Sequence, residues 1–519
     1  MKSLSNSTEV KEAKATELLY NMGRGGIFHE SSDQFPVWAS FQKALSVCED
    51  NKLPFSQVAY NPIIMAHSSD PSTIYTVMLR LKEAANSLGQ RYLPLCFDMG
   101  LYTKASEIKW SRPKELEDII LVEGGMHLLM SVISGIGYLY ADAGLSNLLV
   151  DSGVFASRTV DHMLSGKDFD RALYGLKLLE EALSAQFLQQ FYTWCERTGN
   201  RIPDRLSEGL TELESAFSGL EKVQELKQEL CTLLIDQVLP MIEKYRKEGR
   251  SISPTFLLWD EILFRVLLPL KVFISASRKG LWEIQQSAKA EFLPLLFASN
   301  RTNYARYLPV SLLQMRHLPQ EIATEFARTG GMVKLSEGHF NGVWLDCALE
   351  TTQNKDLKGA GGIIGLTMRS QALVRWFIAR PVTALYAAEF KKGTDTNIPD
   401  DKQLAQTKAK ASDTRWNSDV KKIRDMLQGP CVDPFDITEA PTKLINIATG
   451  AVAPAAIEKS LCCALDKGTT MADKFVSNLA SDNLKSFYAP IPRSNIKTMK
   501  EMNKKVKIKS RVKRCIFAY

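Results

Sequence analysis

Histidine and cysteine are scarce in this chain of 519 residues, which has six of one and nine of the other. No two cysteines have the C-x-x-C spacing, and the adjacent Cys462 and Cys463 suit no common zinc site. So sparse a set excludes a disulfide scaffold, and an odd count fits a reducing interior. The opening Met1–Lys14 is polar and lacks the apolar stretch of a secretory signal, so an intracellular protein is expected. Long apolar runs are lacking too. The best candidate for a membrane span, Gly124–Tyr140, falls short of the roughly twenty residues needed. It also carries His127 and glycines, which predicts a buried core helix and no membrane partner.

The hydrophobic fraction of 45% and charged fraction of 24% are those of an ordinary globular protein, with room for two to four domains. A net charge of +7 is too small for the chain average to imply nucleic acid. The basic residues concentrate at the end of the chain. Lys505, Lys507, Lys509, Arg511 and Lys513 alternate with Val506, Ile508 and Val512, flanked by Lys504 and Arg514. That pattern fits a solvated edge strand, or an arm that binds nucleic acid or a nuclear-import receptor.

The most informative stretch is Arg91–Leu145. The apolar run Arg91–Phe97 stops at Asp98, a helical pattern continues to Trp110, and a second apolar run, Asp118–Val122, stops at Glu123. After Gly124-Gly125 a long apolar helix begins near His127. This alternation predicts parallel βαβ units, whose strands are buried on both faces and so read as continuous apolar runs. Sites in such sheets form beyond the carboxyl ends of the strands. Asp98, Glu123 and His127 fall there, as a divalent-metal site would require, although a carboxylate in that position also serves as a plain helix N-cap. Pro94 argues for an edge strand.

In chain order, residues 1–35 read as a disordered lead-in and 50–145 as the α/β core, with a further strand expected at Val58–Ala66. Residues 146–330 read as an all-helical insertion, including helices at Asp168–Thr198 and Pro203–Lys247. Within the second, Leu210, Leu213, Phe217, Leu220, Val223, Leu226 and Leu230 form a stripe, either a packed face or a dimerising coiled coil, with a kink at Pro240. Residues 331–390 return to the core and carry Asp346 and Glu350, four apart on one helical face. The run Gly359–Gly365 lacks the Lys-Ser/Thr pair of a phosphate-binding loop and reads as a tight turn. Beyond it, 391–433 reads as a linker with a short helix, 434–490 as a small helical module and 491–519 as the basic tail.

The strings Phe97-Asp98-Met99-Gly100-Leu101-Tyr102-Thr103-Lys104-Ala105 and Glu123-Gly124-Gly125-Met126-His127-Leu128-Leu129-Met130 resemble uncharacterised, transposon-derived open reading frames of invertebrate genomes. The likeness continues through Leu145–Ala156, Arg301–Glu350, Gly361–Gly365 and Phe435–Lys507. It implies a ribonuclease H-like core of the kind DDE transposases use, interrupted by a helical insertion and dominated overall by helix. In such enzymes three carboxylates hold two metal ions that transfer a phosphodiester. By position Asp98 is similar to the second acid, and Glu350 or Asp346 to the last, with Glu123 and His127 behind them as metal ligands. The first acid has no counterpart before Val58, where antiparallel strands should stand. The resemblance therefore implies a truncated or degenerate transposase-like protein, nuclear, meeting DNA, and using Mg or Mn where chemistry survives. The alternative is a non-enzymatic helical module that binds nucleic acid through its basic tail. The sequence leaves the oligomeric state open.

Overall fold

Two five-residue strands, the apolar Leu93–Phe97 (β1) and Ile119–Glu123 (β2), apolar up to its last residue, pair in parallel with Leu93 opposite Ile119 and Phe97 opposite Glu123. All five residues of β2 are buried. Ile119 and Leu121 face the main core, while Ile120 and Val122 pack with Trp282, Met315, Ile322 and Phe326 on the other side. Burial on both faces is why the strand reads as an unbroken apolar run. β1, with Pro94 in its second position, borders β2 alone. In this computed structural model the described residues are 8–26, 35–49, 52–59, 64, 66–359, 369–394 and 401–500.

Among them the sheet content ends there, apart from an antiparallel pair of dipeptides, Val333–Lys334 (β3) and Gly342–Val343 (β4). The protein is helix-dominated, 70% helix against 4% strand. Of the strand expected at Val58–Ala66, the described Val58, Ala59 and Ile64 have no regular structure and are exposed, and residues 60–63 and 65 lie outside the described residues.

The helices that position the chemistry are α1 (Thr8–Gly25), α2 (Met99–Ser111), α3 (Gly125–Tyr140), α4 (Phe169–Thr198), α5 (Leu268–Lys279), α6 (Thr302–Gln314) and α7 (Leu345–Thr351). One hydrophobic core runs through them, from Ala15 to Met499. Its axis is α4, buried over most of its thirty residues.

Three expectations are corrected. The lead-in contains α1, whose second half is buried except for the half-buried Arg24. Its charged and polar side chains are core partners: Glu17 accepts from Trp38 Nε1 (2.8 Å) and Gln42 Nε2 (2.9 Å), and Asn21 donates to Glu180 (2.8 Å). The helix expected over Pro203–Lys247 breaks after Ala216, where Leu220 and Lys222 take left-handed backbone conformations, φ 59° and 58°. Its two arms, Asp204–Ala216 and Val223–Leu233, fold against each other, so Leu210, Leu213 and Leu230 are fully buried within the chain and unavailable to a coiled-coil partner. The linker at 391–433 is largely the helix Asp401–Gln428, seated against α4 through Trp416, Val420, Ile423 and Leu427.

No single helix among the described residues is long and apolar enough to cross a membrane. The one pair of helices that reaches that length together, Gly125–Ala143 with Leu145–Asp151, is bent by 83°.

Candidate functional site

The residue that succeeds each strand sets the geometry. Asp98 ends β1 and caps α2: its Oδ1 accepts from Leu101 N at 2.8 Å, and its backbone sits in the extended region that a cap requires. The cap leaves Oδ2 out, and the residue is half-buried. At the end of β2, Gly124 donates its N–H to Phe97 O (2.9 Å), tying the two strand ends together.

Gly124 is the N-cap of α3 and has no side chain with which to cap. Asp346, from α7, does so instead. Its Oδ1 accepts from Met126 N (3.2 Å) and its Oδ2 from His127 N (3.0 Å), across 220 and 219 residues of chain. A Cβ on Gly124 would lie 2.2 Å from Asp346 Oδ2, and one on Gly125 would lie 2.2 Å from Trp344 Cδ1. The Gly-Gly pair is thus the seat into which Trp344 and Asp346 lock. Trp344 is fixed in turn by stacking on Phe273 (centroids 5.7 Å, 13°) and by donating to Ser277 (3.0 Å).

The same Asp346 Oδ2 lies 2.9 Å from His127 Nδ1. A carboxylate only accepts, so the proton is on Nδ1, and Nε2 is left as the basic nitrogen of the neutral ring. The Asp346 hydrogen bond raises the His127 pKa above its ordinary value. Burial opposes the rise, while the charges of Asp346, Asp98 and Glu350 add to it. Asp98, from β1, and Glu350, one turn along α7, therefore share one electrostatic neighbourhood with His127. Glu350 is half-buried and bonded to Asn354 (2.8 Å) and Lys358 (2.9 Å). Burial pushes its pKa up, but these two bonds, with the charges of Lys358 and His127, hold it below the usual carboxylate value.

The other two sequence candidates are bound into the scaffold. Glu123 is buried, paired with Lys289 (2.7 Å) and accepting from the Ser311 hydroxyl. Asp346 accepts four hydrogen bonds, the fourth from Cys347 N at 3.0 Å, which fills the ordinary capacity of its two oxygens. Among the described residues, no three His, Cys, Asp or Glu side chains converge on a point where a metal ion could sit.

Tyr304 on α6 is not among the residues that the sequence singles out. Its hydroxyl is buried without a hydrogen-bond partner among the described residues, an uncommon state for such a group. Burial raises its pKa well above the ordinary value, and the charges of Asp346, Glu123 and Asp98 raise it further. The only sequence signal for it is spacing: Tyr304, Tyr307 and Ser311 stand at helical intervals on the face of α6 that meets β2. The basic residues Lys504, Lys505, Lys507, Lys509, Arg511, Lys513 and Arg514 lie outside the described residues, as does most of the glycine run Gly359–Gly365.

These features define a helix-dominated protein in which a two-stranded parallel sheet presents Asp98 and His127 to a helix returning from far along the chain. The chain belongs to a family described as a domain of unknown function, DUF8702, whose family model matches residues 37–516. No curated protein and no solved structure matches the chain.

Proposed function

We propose that this chain is a transposase-like protein of transposon origin, degenerate in its acid set, that acts on DNA in the nucleus through the strand-end cluster. The observation that carries it is the Asp346 bond to the helix after β2. The order strand, helix, strand, helical insertion, then acid-bearing helix matches what the resemblance implies of an interrupted ribonuclease H-like core, and this bond, which closes a loop of 219 residues, supports that reading. The two described strands would be the part of that core around its second acid.

Within this reading Asp98 and Glu350 are the acids. His127 presents Nε2 either to take a proton or, with metal bound, to coordinate it, and Asp346 is the positioning residue that fixes its tautomer and orientation. The Tyr304 hydroxyl, buried among these charges, is a donor awaiting an acceptor such as a phosphate oxygen. Mg²⁺ or Mn²⁺, when bound, would supply charge neutralisation at a phosphodiester, and Asp98, Glu350 and His127 are the groups that would hold it. They do not converge in this arrangement, and Glu350 would first have to leave Lys358.

The test is cleavage or joining of DNA by the full chain with Mn²⁺, wild type against Asp98→Ala and His127→Ala. Activity abolished by both substitutions and by chelator supports the reading. A wild type that is inert in every metal overturns the enzymatic part. DNA binding that survives in Asp98→Ala but is lost on deleting residues 501–519, which spares the core residues Ile496 and Met499, would leave the non-enzymatic, tail-borne alternative.

A further inference from the structure

Away from the strand ends, a cavity of about 510 Å³ opens between α1, α4, α5 and the helices Leu239–Ile252 and Ala464–Tyr488. Three Leu-Pro pairs build it. Leu239, Leu268 and the pair Leu293-Pro294 all line it, and each leucine precedes a proline at the first turn of a helix. Proline has no N–H for the preceding turn and its ring crowds the carbonyl four residues back. In two cases the chain answers with a π-helical turn just before the pair, Leu234–Val238 and Ile262–Leu267. A π turn inserts a residue and displaces the side chains that would have closed the wall, and such turns recur at functional sites. Leu263, Phe264 and Arg265 of the second turn face the space.

The charges around the cavity decide what it can hold. Lys14 pairs with Glu291 at 2.7 Å. Arg246 bonds to Asp260 (2.6 Å) and pairs with Glu243, and its guanidinium lies 3.9 Å from the centre of the Phe264 ring. Arg265 bonds to Glu261 (2.7 Å) and Asp466 (2.6 Å). On the floor, Glu180 is held by Lys271 and Asn21, and Asn21 also donates to Ser184 (3.0 Å). The remaining charged lining groups, Lys11 and Asp473, are exposed and opposite in sign. The interior presents no uncompensated charge, and its wall is leucine, isoleucine and phenylalanine, with Leu465, Ala472 and Val476 as one stripe of the last helix. A charged ligand would lose its hydration there without gaining a counter-ion.

We infer that this cavity is a binding site for one neutral, largely apolar, lipid-like small molecule, separate from the strand-end cluster. The volume falls within the range of ordinary ligand sites. Carbon burial supplies the affinity, and the paired charges at the rim exclude anions and cations alike.

The experiment is titration of the full chain with the neutral fluorophore N-phenyl-1-naphthylamine, with the anionic 1-anilinonaphthalene-8-sulfonate in parallel. The neutral probe should bind saturably, one per chain, and more tightly than the anionic one. Ala472→Trp, which fills the space from the wall, and Thr469→Phe, which narrows it from the rim, should each weaken binding about tenfold or more, equivalent to ~1.4 kcal/mol. Circular dichroism and melting establish which variants are folded. Absence of saturable binding to the wild type, unchanged affinity in a folded filled variant, or equal affinity for the two probes overturns the inference.

Discussion

Two clusters of charged side chains, one in the helical body and one at the strand ends, are used in opposite ways. In the helical body, Glu17, Glu180 and Glu181 are buried together with Lys271, which lies 3.3 Å from Glu17 and pairs with Glu180. Glu181 accepts from Arg24 (2.9 Å), Trp416 Nε1 (2.9 Å) and the Tyr20 hydroxyl. Every carboxylate there faces donors from two or more helices. At the strand ends, Asp98, His127 and Glu350 are half-buried, Asp98 uses one oxygen for its cap, and His127 uses one nitrogen for Asp346. Charge alone therefore does not mark a site. What separates the two regions is whether the polar atoms are all engaged or some remain for something else.

The comparison breaks hardest at Lys271. Removing one partner of a buried charge set leaves the others uncompensated, typically at a cost of 3–5 kcal/mol. Lys271→Ala should lose on the order of that amount in denaturant unfolding, with little room for repair because the residue is 1% exposed. A loss below about 1 kcal/mol would mean that water enters the cluster and that the two regions are not opposites. Gly124→Ala comes next. Its backbone angles, φ −66° and ψ 124°, suit alanine, so the whole penalty comes from displacing Asp346. Overpacking of this kind costs ~1–3 kcal/mol, and the His127 pKa should fall in the same variant, measured by NMR of the ring protons.

The parts legible in the sequence are those whose cause is local. Leu93–Phe97 and Ile119–Glu123 announce themselves as strands because both faces of β2 are covered. The thirty-residue α4 matches its expected span within a residue because its buried apolar positions, from Ala172 to Cys195, recur at helical intervals along its length. The position of Asp346 and Glu350 on one helix was legible from their spacing. Illegible were the partners. Nothing near Glu123 signals Lys289, 166 residues away, and nothing near Gly124 signals that its cap arrives from Asp346. α1 reads as polar because Glu17, Asn21 and Arg24 are matched by residues from α4 and α5 that lie far along the chain.

Asp98 sharpens the contrast from the other side. Loss of an N-cap costs about 1 kcal/mol, so Asp98→Ala should destabilise far less than Lys271→Ala, although both remove a charge. Asn caps as well as Asp, so Asp98→Asn should restore most of that loss while still removing the carboxylate. A stability change near that of Lys271→Ala, seen in the same unfolding assay, would place Asp98 with the scaffold.

The smallest effect is the pH dependence contributed by His127. Its folded pKa is raised above the ordinary value of 6.5 by Asp346 first, then by the surrounding carboxylates against the opposing effect of burial. A group whose pKa rises on folding binds its proton more tightly when folded. Its contribution is therefore complete below the unfolded value and fades as pH climbs through the folded one. The ring is 29% exposed, so solvent screening keeps the contribution small. Unfolding free energies measured from pH 5 to pH 9 should show this loss in the wild type and not in His127→Gln. Asp346→Asn, which keeps the shape and removes the charge, should flatten the same window. If the wild type and both variants trace parallel curves, the Asp346–His127 side-chain bond does not persist in solution, and the returning helix would be held to the strand ends by the backbone cap and Trp344 alone.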